Sequence, residues 1–274
     1  MWILVLVSVV GMDSNPAPGQ AIGGPSTKAT ATRFSESNNF LVRSYLAQPQ
    51  ADEDARHCES LCCELHKTLL GEEESRVWEP KCEVVLHPSR ASYLKSVGSG
   101  GAQTVGSSAI RIQSGKVLHR RIDLLAEDRS RALSALRHEL IHVLFAELYP
   151  NTMPPRWAEE GLALLNDSED KQARHLNDLR QAVEANTTIP LNRLLATADY
   201  PTGWQRAVFY GQSMSVVEYL TQLNTPDQFL RFVQLNLEAG HGHALRTVYK
   251  VDSLDDLERG WREYALASLA SKPE

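Results

Sequence analysis

The chain has 274 residues, 42% of them hydrophobic and 23% charged, which is enough apolar length for a sizeable core in one or two lobes. Its formal net charge is −6. No block dense in lysine and arginine occurs, so nucleic acid is not an expected partner, and the acidic balance reads as ordinary solubility.

The first element is an apolar run, Trp2 to Val10, broken only by Ser8. It is too short to span a bilayer as a helix and suits the h-region of a signal peptide, although no positive residues precede it. Small residues from Gly19 to Ala21 could supply a cleavage site. The expectation is export, to the periplasm, the medium or the cell surface. Residues 1–33 then serve as signal peptide or membrane anchor followed by a flexible linker. A buried strand is the alternative, and the Pro/Gly/Ser/Thr-rich stretch that follows argues against it.

Helical periodicity runs from Asp52 to Leu70 and carries Cys58, Cys62 and Cys63. "KCEVVLHP" is a β-branched run stopped by Pro88 and reads as a strand that Cys82 opens. The four cysteines do not have zinc-ribbon spacing. Export would permit a disulfide from Cys62 or Cys63 to Cys82, and buried free thiols fit equally well. "GSGG" at Ser99–Gly101 and its neighbour lacks the ending of a phosphate-binding loop and reads as a flexible loop. The alternation of Ile110 and Ile112 with Arg111 and Gln113 predicts a hairpin with its turn at Ser114-Gly115 and a second strand over Lys116 to Leu124.

From Asp128 onward the pattern is helical. A helix is predicted from Ser130 to Leu148, ending before Pro150, and another from Arg156. Asp167-Ser168 followed by Glu169-Asp170 is a helix start, as are "TPDQ" at Thr225 to Gln228 and "SLDD" at Ser253 to Asp256. The expected fold class is α+β: a small mixed lobe with antiparallel strands over residues 34–127, then a mainly helical lobe over 128–274.

The segment "RHELIHVLFAE", Arg137 to Glu147, holds the chemistry. Residues four apart on a helix are separated by about 40° around its axis, so His138 and His142 point the same way, one turn apart. Two imidazoles on one face can bind one divalent ion. Glu139 is offset by one position and lies beside such an ion, where a base must sit to take a proton from a water. Leu133, Leu136, Leu140, Val143 and Leu144 would bury the helix and fix the histidines. A histidine pair of purely structural or surface character is the plainer reading, and the complete His-Glu-x-x-His pattern weighs against it.

A third ligand decides the class. The metzincin pattern requires glycine and histidine where this chain has Phe145 and Leu148, so that class is excluded. The helix beginning near Pro155, "PPRWAEEGLALL", could return a carboxylate to the ion, and spacing leaves both Glu159 and Glu160 open. "HELIH" with "RWAEEGLA" resembles the gluzincin peptidases of the peptidase MA-like group. In those domains a second helix carries Trp-x-x-Glu-Gly-x-Ala, and its glutamate is the third ligand. The resemblance implies Zn²⁺ held by His138, His142 and Glu160, with Glu139 as the base and Gly161 allowing close approach to the first helix.

A looser likeness covers "VFYGQSMSVVEYL". It implies that Tyr210 faces the site and donates to an oxyanion, while Tyr210 and Tyr219 as core aromatics is the other reading. The exopeptidase Gly-x-Met-Glu-Asn-type motif is not found. The implied activity is therefore an endopeptidase acting on peptides or proteins, with the hairpin before the zinc helix offering an edge strand to the substrate. A silent binding or scaffold protein of the same fold and a zinc amidase of cell-wall peptides are the alternatives. His241 and His243 read as solvated residues in a Gly-rich connector. His57, His66, His87, His119 and His175 read as structural or surface residues. Oligomeric state is not encoded in any motif.

Overall fold

The computed structural model describes residues 3–9, 32–45, 48–73, 76–197 and 199–271. The fold is α+β, with a mixed sheet in the N-terminal part and helices in the C-terminal part, as the patterning predicts. By internal contacts the chain forms two compact units: Met1–Glu64 with Glu74–Ala146, and Leu65–Glu73 with Glu147–Glu274.

The first unit is built on six strands: β1 (Ile3–Val9), β2 (Arg33–Glu36), β3 (Phe40–Ser44), β4 (Cys82–His87), β5 (Gly106–Gln113) and β6 (Lys116–Leu125). Their order in the sheet is β1-β5-β6-β4-β3-β2. The pairs β3–β4 and β4–β6 are parallel and the others antiparallel. Parallel neighbours need a crossover. Helix α1 (Gln48–Leu70) connects β3 to β4, and α2 (Arg90–Val97) with β5 lies between β4 and β6 in the chain. Strand β4 sits between parallel partners and is buried from Val84 to His87, which explains its unbroken apolar run. Helix α1 buries Ala51, Ala55, Cys58, Cys62, Leu65 and Leu69 at helical spacing. All four cysteines are free thiols, the second of the two arrangements the sequence left open. Burial pushes the Cys58 and Cys82 thiols up.

The hairpin forms where predicted. Gln113 pairs with Lys116, and Ser114 and Gly115 turn the chain at φ 52° and 71°, the positive values that a two-residue hairpin loop needs. Two expectations are corrected nearby. "GSGG" is not a flexible loop. It belongs to a 3-10 turn, Ser99–Gln103, closed by Gly101 N–H on Gly98 O and Thr104 N–H on Gly101 O. The hairpin also has no open edge here. Strand β6 is interior, and β5 is paired along its outer side by β1, from Ile3 opposite Gln113 to Val9 opposite Ser107. The apolar run at the start of the chain thus takes the strand conformation that the sequence reading set aside. A strand that satisfies the open hydrogen-bonding side of β5 is the physical reason. The stretch from Gly19 to Ala21 lies outside the described residues. Among the described residues no helix is long and apolar enough to cross a membrane.

Helix α3 (Arg129–Leu148) follows β6, and its residues through Ala146 group with the sheet rather than with the helices that follow. The second unit contains α4 (Arg156–Leu165), α5 (Glu169–Glu184), α6 (Leu191–Leu195), α7 (Gln205–Leu223), α8 (Pro226–Ala239), α9 (His241–Val248) and α10 (Leu254–Ser271). Helix α7 is its axis: every residue from Val208 to Val217 is buried, and α4 and α5 pack on it. A Cβ on Gly161 would lie 2.5 Å from Ser213 O and 2.6 Å from Val217 Cγ2. This glycine therefore admits the close approach of α7. Trp157 anchors α4 to α8 through edge-on contact with Phe229 and tilted contact with Phe232.

The predicted helix starts hold. Thr225 stands at the N-cap position of α8, without a side-chain cap bond, and Pro226 follows in the first turn; Ser253 Oγ accepts from Asp256 N–H and donates to the Asp256 carboxylate at the start of α10. His241 and His243 are solvated as expected, but they lie in the first turn of α9 and not in a connector. Gly240, at φ 80°, ends α8 and lets the new helix begin at once.

Candidate metal centre

From His138 to Ala146 every residue of α3 is buried, so the helix shows little amphipathic contrast in this half. Leu136, Leu140, Val143 and Leu144 are in the core and Leu133 is half-buried. His138, Glu139 and His142 are each 1% exposed. The two imidazole rings meet edge-on, with centroids 5.1 Å apart and Nε2 atoms 3.3 Å apart. Both Nε2 atoms can present lone pairs to one ion when each ring carries its proton on Nδ1. Two nitrogens held about 2.0–2.1 Å from one tetrahedral zinc would themselves be roughly 3.3 Å apart.

Glu139 points elsewhere on the helix. Its carboxylate lies against Gly106, the first residue of β5: a Cβ there would come within 2.9 Å of Oε1 and 3.0 Å of Cγ. A glycine at the head of the strand is what leaves room for the carboxylate. Nearby, the Tyr93 phenol shares a 2.5 Å hydrogen bond with Thr104 Oγ1, and burial, with added repulsion from Glu139, keeps it protonated.

Helix α4 carries the two candidate carboxylates, both 1% exposed, and their partners differ. Arg156 Nη1 donates to Glu159 Oε2 at 2.9 Å, an i,i+3 ion pair with both side chains buried. Burial alone would lower the Arg156 pKa; the charges of Glu159 and Glu160, with Tyr200 and the Glu159 hydrogen bond, together outweigh it and raise it. Glu160 instead accepts a short hydrogen bond from the Tyr200 phenol at Oε1. The guanidinium groups of Arg156 and Arg206 lie over the Tyr200 ring, 5.3 and 5.6 Å from its centroid. Burial and the Glu160 charge push the Tyr200 pKa far up, so the phenol stays a donor.

His138, His142 and Glu160 each offer one ligand atom, and these atoms all lie within 4.8 Å of one another. The donor set is two imidazole nitrogens and a carboxylate, all buried. A group of this make-up can hold a divalent ion. Glu159, the competitor left open by spacing, is engaged with Arg156.

Tyr210 is buried among Tyr200, Phe209 and His175, with ring centroids 6.2, 5.7 and 5.4 Å away. Its oxygen accepts from Arg206 Nη2 at 3.4 Å. Burial, aided by the Glu160 charge, has its pKa pushed up to about 12. The phenol that touches Glu160 is Tyr200, which the sequence reading did not single out; Tyr210 is one aromatic ring further away. Tyr219 is half-buried against Tyr264, as a packing aromatic. Tyr200 sits in "ATADYPTGW", where no periodicity marks it. Arg156 could have been found, since a cation three residues before Glu159 on a helix signals an ion pair. Of the remaining histidines, His87 is buried, with Nε2 hydrogen-bonded to Asp123 at 2.6 Å and its other nitrogen 2.9 Å from Ser92 Oγ.

No protein-family model matches the chain, and no curated protein matches it.

Proposed function

We propose that the chain is a zinc-dependent peptidase of gluzincin type, acting within peptide chains. The observation that carries the reading is the gathering of His138, His142 and Glu160 ligand atoms within 4.8 Å, with Glu139 buried on the same helix as the two histidines. The likeness of "HELIH" and "WAEEG" to peptidase MA-like domains supports it.

A bound zinc ion would supply a Lewis acid that acidifies a water and polarises a carbonyl. The protein's own residues do the rest. His138 and His142 would hold the ion, each ring carrying its proton on the nitrogen not used. The Glu160 carboxylate would complete the set, oriented by the Tyr200 hydrogen bond. The Glu139 carboxylate accepts the proton of the attacking water and returns it to the departing amine. A protonated Tyr210 is available to donate to the charge that develops on the carbonyl oxygen.

Export accounts for the place of the substrate. Removal of a leader would take β1 with it and leave β5 as the outer strand, with Gly106 and Glu139 at its head. An extended peptide could then add to that strand. Sequencing the N-terminus of the mature protein tests this: an unprocessed terminus starting at Met1 would rule it out.

The direct test of the chemistry is cleavage of a quenched-peptide library by the wild type and by Glu139→Gln. The substitution keeps the size of the side chain and removes the base. Turnover should fall by about 10²–10⁴-fold with zinc still bound. Full activity in the variant would sink the mechanism.

A further inference from the structure

Arg206 is set apart in the helical unit by where its guanidinium rests. Arg156, which also lies over the Tyr200 ring, is paired with Glu159. Arg206 is exposed, and among the described residues no carboxylate forms an ion pair with it. It is nevertheless held in place. Its guanidinium lies 5.6 Å from the centroid of Tyr200 and 5.9 Å from that of Tyr210, and Nη2 donates to the Tyr210 oxygen. Tyr200 is the residue whose phenol rests on Glu160. A guanidinium is thus anchored on two aromatic faces, one aromatic ring away from a candidate metal ligand, on an exposed residue. Trp204, 63% exposed and two residues earlier, gives the same turn an apolar surface.

Stacking on aromatic rings fixes the plane of a guanidinium, so little further freedom is lost when its fork meets a planar anion. A lone exposed arginine in solution lacks this preorganisation. Resting on the peptidase reading for the identity of the substrate, we infer that Arg206 binds a carboxylate of the peptide, placed next to the bond that is cleaved. Two sources share that chemistry: an aspartate or glutamate side chain, and the C-terminal carboxylate of a short peptide. Trp204 would cover the apolar part of the same residue.

The test measures binding and cleavage separately on the full chain. Calorimetry on protein stripped of metal with a chelator compares four short peptides of one sequence: Glu or Gln at the central position, each with a free or an amidated C-terminus. Cleavage of the same four is then followed after zinc is restored. At least one carboxylate should strengthen binding about tenfold or more, the size of a charge-assisted hydrogen bond. The Glu/Gln arm and the acid/amide arm identify which source it is. Arg206→Gln should erase that preference, and Arg206→Lys should keep only part of it, because an ammonium lacks the planar fork. If Arg206→Gln weakens charged and neutral peptides equally, the residue merely supports Tyr210 and the inference is overturned. It is also overturned if the wild type shows no carboxylate preference, including no binding of any of the four. A preference in binding that depends on Arg206, with no cleavage of any peptide, would uphold this inference and count against the peptidase reading instead.

Discussion

Asp123 and Glu160 are both carboxylates buried beside histidine, and their surroundings differ. Asp123 receives the Arg121 guanidinium at both oxygens, the His87 ring at 2.6 Å and the Ser96 hydroxyl at 2.8 Å. Arg121 also reaches Glu83, which in turn takes Arg43, so a ladder of alternating charge runs across β6, β4 and β3. Burial by itself would raise the Asp123 pKa, but these bonds outweigh it and hold the carboxyl well below the usual range. Glu160 takes a neutral phenol and stands with two imidazole nitrogens. A buried histidine next to a carboxylate is therefore no signature of a metal by itself. What separates the two clusters is the partner set: a guanidinium bonded to both oxygens of Asp123, against a phenol and two imidazole nitrogens at Glu160. The adjacent pair on α4 repeats the contrast at one residue's distance: Glu159 is answered by Arg156, and Glu160 joins the histidines.

The widest separation should come from exchanging one carboxylate at a time on α4. Glu160→Gln should weaken metal binding by more than the roughly 100-fold that follows loss of an outer-shell partner, with little change in stability. Glu159→Gln should do the reverse. It leaves metal affinity intact and lowers unfolding free energy by about 3 kcal/mol, because Arg156 is left buried without its counter-charge. Denaturant titration beside competitive chelation reads both. If both variants lose metal equally, the division of labour on α4 is wrong.

Asp123→Asn should lower stability by about 2 kcal/mol at neutral pH and leave metal content unchanged. The folded pKa of Asp123 is depressed, so its contribution is fully present above the ordinary carboxylate pKa near 4. It fades as pH falls through that value toward the folded one. The wild type should accordingly lose its advantage over the variant in acid, which unfolding curves between about pH 2 and 7 would display. A constant difference across that range would contradict the assignment. An effect of similar size, read on metal affinity instead, is expected for Tyr200→Phe, which removes one hydrogen bond to Glu160. Metal affinity should drop about 10–100-fold without loss of fold. An unchanged affinity would mean that the phenol does not orient the ligand.

Regular elements were largely legible in the sequence because their signals are local. The hairpin turn at Ser114-Gly115, the span of α3 and the caps of α8 and α10 follow from neighbouring residues alone. Strands β2 and β3 are short and were hidden beside a linker-like composition, since their strand character comes from pairing, β3 with β4 and β2 with β3. The same holds for β1, whose apolar run is compatible with a leader and with a strand until its partner β5 is known. In the site, His138, Glu139 and His142 share one helix and could be read from spacing. The choice of Glu160 over Glu159 required a family likeness, and Arg156 three residues earlier would have supported it from charge alone. Tyr200 and Arg206 could not be found, because they approach Glu160 through tertiary packing of a loop and the first turn of α7. Gly106 carried no signal either, as its reason is a carboxylate far along the chain.

The central claim is that His138, His142 and Glu160 form a metal centre while the buried His87–Asp123 pair does not. Metal analysis of purified protein by mass spectrometry, for the wild type, His142→Ala and His87→Ala, tests it most directly. The account predicts one zinc ion per chain in the wild type and in His87→Ala, and none in His142→Ala. A wild type that takes up no zinc, or a His142→Ala variant that retains a full equivalent, would contradict it.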